Sequence, residues 1–373
     1  MKAFLKRWPH LKQDRRVVIA AWLMLAVGLV ILPFIVNASL GGSWVRILNY
    51  TLLWLMLGLG LNIVVGYAGL LDLGYIAFYA LGAYVFALLA SPQLGLHLPF
   101  WAILPLGALF AGFFGVLLGV TTLKLRGDYL AIVTLGFAEI VNIFLTNLKI
   151  TNGPQGVNLI DPIRIGGFDF HQKHEILGLV IPSSHFYYYL FLVFALGIMF
   201  VCIRLQESRI GRAWVAIRED EVAATAMGIN TRNIKLLAFA LGAMIGAIGG
   251  GLFAGFEGFI SPTSFTLNQS IFVLCIVVLG GMGNIYGVIL GAVLLSTYPE
   301  LLRYMRELQE WIFGRILFDP NDYRMLIFGL ALVLMMILRP EGILPSKRRA
   351  RELHTTPTIA AQEQATIYDT QKS

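Results

Sequence analysis

Glu139, Asn142 and Thr146 stand inside an otherwise apolar run, RGDYLAIVTLGFAEIVNIFLTN. At spacings of i, i+3 and i+7 they share one face of a helix. An ionisable group among apolar neighbours is costly and asks for a reason. Two readings stand. The stripe lines a wet pathway, or it supplies the interhelical hydrogen bonds that hold a bundle together. Asp72 poses a related question in GYAGLLDLG, where Gly66, Gly69 and Gly74 favour broken or tightly turned backbone. Such backbone survives at membrane depth only against protein or water. The segment is either a pathway wall or gate, or a short cytoplasmic turn with a solvated Asp72. Asp128 with Arg126 reads as a solvated loop pair.

The densest charge lies in GRAWVAIREDEVAATAMGIN, residues 211–230, which holds Arg212, Arg218, Glu219, Asp220 and Glu221. REDEVAATAMG reads as one short helix. Acidic residues crowd its first turn, where the helix dipole favours them. Gly228 marks its C-terminal stop. Val222, Ala226 and Ile229 give it an apolar face, suited to a groove in another protein. The alternative is an ordinary solvated connector.

Other chemistry is missing its residues. No G-x-x-x-x-G-K-[ST] occurs, and Gly-Lys appears nowhere, so the chain shows no such nucleotide site. There is no G-x-S-x-G, no H-E-x-x-H and no zinc-type cysteine pair. His171, His174 and His185 are read in one outer loop, uncoordinated. Cys202 and Cys275 lie in apolar runs and read as small packed residues. No enzyme and no metal site is expected.

The elements that must carry these residues are membrane helices. The chain is 58% hydrophobic and 13% charged, against about 25% charged in soluble domains. A crossing takes about 20 apolar residues. Such runs occur at about 17–36, 48–66, 74–91, 99–123, 129–147, 186–204, 235–258 and 323–338. Two shorter ones, 271–282 and 288–302, are either two crossings or a pair that dips and returns. The fold class is all-α, a polytopic membrane protein of about 8–10 transmembrane helices. The first run is too long for a signal-peptide core and is kept as a retained helix.

Basic residues orient the bundle. With the arm 1–16 inside, the segments 124–126, 204–235 and the C-terminal tail are inside too, and these hold most of the 28 lysines and arginines. Both termini and the loop at about 205–234 are then cytoplasmic. Loops at about 148–185 and 303–322 lie outside. In RYMRELQEWIFGRILF (303–318), Met305, Leu308, Ile312 and Ile316 recur at helical spacing and predict a helix on the membrane surface. The span domain runs over 17–345, and 346–373 reads as a disordered cytoplasmic tail. Glycines at four-residue intervals, Gly242, Gly246 and Gly250, then Gly283, Gly287 and Gly291, predict close helix packing.

The charged stretch resembles the cytoplasmic coupling loop of ABC importer permeases, Glu-Ala-Ala-x-x-x-Gly. Ala223, Ala224 and Gly228 match, whereas Val222 takes the acidic place and Glu221 precedes it. With LRGDYLAIVTLGFAEIVN, TNGPQG, VVLGGMGNIYGVILGA and YRMLIFGLALVLMMILRPEGILP, the chain is similar over roughly 48–345 to permeases of high-affinity branched-chain amino acid importers. The similarity is to the larger of their two permease subunits. The resemblance implies a bacterial inner-membrane machine with a second homologous permease, two cytoplasmic ATPases and an extracytoplasmic substrate-binding protein. ATP and Mg would sit on the ATPases, with no cofactor on this chain. The loop at 208–230 would transmit ATPase closure. The alternatives are an ion-coupled secondary transporter using Glu139, a same-family permease for urea or short amides, and a membrane scaffold that transports nothing.

Overall fold

The computed structural model describes residues 15–123, 125, 127–165, 168–171, 174–176, 179–313, 319, 323–339 and 342–344. The expectations for the N-terminal arm up to residue 14, Lys124, Arg126, much of 314–322 and the tail fall outside the described residues. Twelve α-helices account for most of the rest. They are α1 (Arg15–Leu40), α2 (Gly42–Leu61), α3 (Ile76–Leu89), α4 (Phe100–Thr122), α5 (Asp128–Asn147), α6 (Ser183–Glu207), α7 (Arg209–Glu219), α8 (Glu221–Ala226), α9 (Thr231–Glu257), α10 (Leu267–Gly280), α11 (Ile285–Phe313) and α12 (Arg324–Leu338). Two two-stranded hairpins, β1 (Arg164–Ile165) with β2 (Phe168–Asp169) and β3 (His174–Ile176) with β4 (Leu179–Ile181), ornament the 148–182 connection. The fold class is a polytopic helical membrane protein.

Among the described residues seven segments are long and apolar enough to cross a membrane. Ala26–Leu40 and Ile76–Leu89 are shorter apolar helices. The 271–302 region resolves into two crossings by length, Pro262–Gly280 and Ile285–Arg306. They are joined by a tight turn at 281–284. Near that turn Gly287 and Gly291 pack against the backbone of Gly280 and Ile276. Gly283 belongs to the turn itself, with φ +80°, and not to a helical glycine ridge.

The sequence periodicity of 303–318 predicts a separate surface helix, and there the structure differs. Residues up to Phe313 continue α11 without a break, past Pro299. The indole Nε1 of Trp44 donates to the Tyr304 hydroxyl at 2.9 Å, which holds this stretch beside the start of α2.

The core is built on α9. Gly242, Gly246 and Gly250 present an almost bare backbone ridge to α2 and α3. A Cβ at Gly250 would overlap the Tyr79 carbonyl. In a bilayer, helices gain little from hydrophobic association, so this close van der Waals fit does much of the holding. Tyr75, Phe78, Tyr187, Phe191 and Trp214 are fully buried around it. Outside, α4 and α5 expose Trp101, Leu109, Phe113, Ile132 and Phe144, an apolar surface suited to lipid or another membrane subunit.

Pro33 lies inside α1 and removes the N–H that Leu29 would need. Hydroxyls from α6 compensate: Tyr188 donates to the Leu29 carbonyl at 3.1 Å and Tyr189 to that of Val30 at 2.6 Å. α6 starts after Pro182, earlier than its apolar run suggests. His185 is therefore a buried helical residue, facing Phe34 at 5.2 Å between ring centroids, and not a loop residue.

One crossing is broken. α2 ends in a π-helical turn, Asn62–Tyr67, and residues 68–75 are irregular before α3 begins. α3 has 14 residues, about 21 Å at the helical rise, well short of a bilayer core of about 30 Å. The end of the irregular segment is packed into the bundle, where Tyr75 Oη donates to the Gly242 carbonyl midway along α9.

Candidate functional site

The charged stretch folds as two helices, where its sequence reads as one. α7 is capped by Ser208, whose Oγ accepts from the Gly211 N–H at 3.2 Å. Asp220 then adopts extended backbone and its Oδ1 accepts from Val222 N–H at 2.8 Å and Ala223 N–H at 3.0 Å. That side-chain capture starts α8 and breaks the helix at Asp220. Arg212, Arg218 and Glu219 therefore belong to α7 and not to the helix that holds the alanines. α8 closes on Gly228 (φ +83°): Gly228 N–H donates to Thr225 O and Ile229 N–H to Ala224 O, the Schellman pattern.

The two helices have different jobs in the packing. α8 is seated by an ion pair, Lys235 Nζ to Glu221 Oε1 at 2.6 Å, the lysine itself being buried. Its outward side is mostly apolar and bare: Val222 is 68% exposed and Met227 83%, with Ala223, Thr225 and Ala226 also exposed between them. Ala224 faces inward and is buried. Arg212 is exposed and donates to the Glu207 carbonyl at 3.0 Å. α7 buries Gly211, Trp214 and Ile217. Trp214 donates through Nε1 to the Ile234 carbonyl at 2.7 Å and stacks on Tyr67 with ring centroids 6.5 Å apart. Arg218, one turn on, donates through Nη1 to the Gly66 carbonyl at 2.6 Å. α7 thus rests on the π turn of α2.

The broken segment has its own polar accounting. Ala68 N–H returns to Ile63 O, and Leu70 N–H to Val64 O. Leu73 N–H donates to Thr134 Oγ1 at 3.0 Å, Gly74 N–H to Asp72 Oδ1 at 2.8 Å, and Ile76 N–H to Ser270 Oγ at 3.1 Å. Side chains from α5 and α10 supply acceptors that water would otherwise have to provide. Asp72 is 1% exposed, so the reading as a solvated turn is corrected: its carboxylate is turned into protein to cap Gly74. Its Oδ2 has no hydrogen-bond partner among the described residues.

On α5 the polar stripe divides. Asn142 Nδ2 donates to the carbonyls of Pro262 (3.3 Å) and Phe265 (3.0 Å), and Thr146 Oγ1 donates to the Asn142 carbonyl. Asn142 makes the contact with the 258–266 segment, and Thr146 bonds back to its own helix. Glu139 is exposed on the outward face of α5, near Gly136, whose Cβ would meet nothing within 4 Å. At the end of the bundle far from α7, Arg46 makes a two-pronged contact to Glu257 at 2.8 and 2.9 Å, and Tyr50 Oη also donates to that carboxylate. Asp128 is exposed at the start of α5. No cluster of three metal-ligating side chains occurs among the described residues.

Sequence reasoning missed the inward roles of Trp214 and Arg218 and the Arg46–Glu257 pair, whose members lie 211 residues apart. The signal for Arg218 was present but indirect. It is Gly69, where a Cβ would stand 2.6 Å from Arg218 Cγ.

The family model for the branched-chain amino acid transport system permease component matches residues 43–336. The chain belongs to this family. The match begins at α2 and ends inside α12, so it takes in the broken crossing, α5, the α7–α8 pair and the α10–α11 turn. The high-affinity branched-chain amino acid transport system permease protein LivM of Escherichia coli K12 is 44% identical over 347 residues, 90% of this chain and 76% of that protein. A probable branched-chain amino acid transport permease protein LivM from Methanocaldococcus jannaschii is 28% identical, covering 72% of this chain and 74% of that one. The permease protein LivH of E. coli K12, from the same named system, is 24% identical over 78% of this chain and 90% of its own length. No solved structure matches the chain.

Proposed function

We propose that the chain is the translocating permease subunit of an ATP-driven importer that carries branched-chain amino acids into the cytoplasm. It pairs with a second permease of the same family, as the two permease names of the relatives' system suggest. Two ATPase subunits and an extracytoplasmic binding protein complete the machine, and ATP and Mg bind there. The protein resides in a bacterial inner membrane with α7 and α8 in the cytoplasm, the side that the basic residues favour. Glu139, on the face of α5 left bare by this chain, lines the route between the two permeases. Asp72 stands behind it, at the broken crossing.

The observation that carries the reading is the outward face of α8, where Val222, Ala223 and Met227 stand exposed beside a small-residue backbone. An apolar patch held on a rigid ion-paired helix, on a chain without a phosphate-binding loop, fits the groove of a separate motor. Ala223→Arg is the test. Ala224 is packed and Gly228 needs its positive φ, so changes at either would disturb folding first. In membranes that also contain the ATPases, Ala223→Arg should insert normally, lose ATPase co-purification and lose leucine uptake. Full uptake with the ATPase retained would refute the seat.

A further inference from the structure

A motor seated on α8 must act on something within the membrane. Resting on that reading, we infer that Arg218 is the positioning residue that transmits movement of the α7–α8 pair to the broken crossing at residues 62–75. The guanidinium reaches out of α7 and donates to a main-chain carbonyl, that of Gly66, in the π turn. Hydrogen bonds from an ionised donor are among the stronger ones, and the planar fork holds a direction that a lysine cannot.

The surroundings are shaped to this side chain. A Cβ at Gly69, whose φ is +70°, would stand 2.6 Å from Arg218 Cγ. A Cβ at Gly283 would approach the guanidinium at 3.6 Å. One at Gly66 would press on Gly283 N at 2.7 Å. Gly69 therefore opens the slot that holds Arg218, while Gly66 lets the π turn approach the main chain of the α10–α11 turn. The slot is also tied shut on its far side: Gly283 N–H donates to the Asn62 side-chain oxygen at 2.9 Å, across the first residue of the π turn. Through Arg218 and Asn62 a single hydrogen-bonded group joins α7, the end of α2 and the α10–α11 turn.

The receiving element suits a switch. A π turn holds one extra residue per hydrogen-bonded ring, and such turns recur at functional sites. The Gly66 carbonyl that Arg218 holds belongs to that turn. Beyond the π turn, the chain is attached to α5 through Leu73 and Thr134, with Gly74 set against the Thr134 carbonyl, and to α10 through Ile76 and Ser270. A shift of the π turn thus reaches the helix that bears Glu139, over a chain of contacts with no gap.

The experiment uses the whole complex, both permeases with the ATPases and binding protein, in vesicles supplied with ATP and leucine. Uptake and hydrolysis are measured together, and hydrogen exchange is followed with and without trapped nucleotide. Arg218→Met should keep its ATPases and hydrolyse ATP. Its uptake per ATP should fall by at least about tenfold, the scale of one lost charge-assisted hydrogen bond, and Arg218→Lys should recover part. Nucleotide should still alter exchange at 221–228 but no longer at 62–75. Gly69→Ala displaces the arginine without touching its charge and should uncouple in the same way. Wild-type coupling in Arg218→Met, or an exchange response at 62–75 that survives, overturns the inference. So does loss of the ATPases or of the folded protein in both variants, since Arg218 would then serve docking or folding alone. The Ala223→Arg complex judges the seat independently: retained ATPase and uptake there defeat the parent reading, whatever Arg218 does.

Discussion

At the scale of single residues, the α5 stripe shows how one spacing can hold two roles. Asn142 and Thr146 are committed to hydrogen bonds with the 258–266 segment and with their own helix. Glu139, about one turn earlier, is exposed on the outward side of the helix. Removing its charge should therefore cost little stability, within about half a kcal/mol as for surface positions generally. If the α5 face is the pathway wall, Glu139→Gln should leave the yield and thermal midpoint of the complex unchanged while leucine uptake falls. Asn142→Leu should do the reverse, because two buried carbonyls lose their donor. At about 1 kcal/mol for each hydrogen bond, the loss appears as a lower melting point in detergent. Equal uptake in Glu139→Gln and the parent would make the carboxylate incidental. The helical period places these three residues together, but it says nothing of which faces a neighbour. That depends on Pro262 and Phe265, 120 and 123 positions away.

At the scale of elements, the sequence is most readable where one physical cause dominates. The four-residue glycine rhythm of α9 has a single explanation, a backbone pressed against backbone, and the ridge formed by Gly242, Gly246 and Gly250 is where it belongs. Gly250→Ala should destabilise the bundle by roughly 1–3 kcal/mol, the range for overpacking a tight site, because the new methyl would overlap the Tyr79 carbonyl and stand 2.7 Å from Ala83 N. Gly197→Ala in α6, where a Cβ meets nothing within 4 Å, should leave the melting point in detergent unchanged or raised. Equal losses at both positions would mean that helix propensity, not close approach, governs. Readability fails where two causes compete. Residues 303–313 have an amphipathic period, yet they extend α11, because periodicity reports a helix and not where it starts. The acidic run at 219–221 reads as one helix start. Asp220 instead adopts extended backbone and separates two helices, a choice made by its side chain capturing two N–H groups. The buried Asp72 was hidden for the same reason, since its acceptor role is defined by a local turn that has no fixed spacing.

At the scale of the whole molecule, the polar contacts of the α7–α8 pair form a connected series. The exposed α8 face points away from the bundle, α7 leans on the broken crossing, and that crossing is fastened to α5 and α10. A secondary transporter would have to hold its driving ion within this chain. Glu139, the group nominated for that task, stands on the outward face of α5 and not in an enclosed site between helices. The chain purified alone and placed in vesicles should therefore fail to accumulate leucine under a proton gradient, a sodium gradient or ATP. Adding the second permease, the ATPases and the binding protein should restore uptake that depends on ATP and is blocked by an ATPase inhibitor. Isoleucine and valine in excess should compete with labelled leucine, whereas urea and short amides should not. Concentrative uptake by the lone polypeptide would be incompatible with this division of labour. It would require an ion site enclosed by these helices, and Asp72, the buried carboxylate with one oxygen unpartnered among the described residues, would be the first place to look for it.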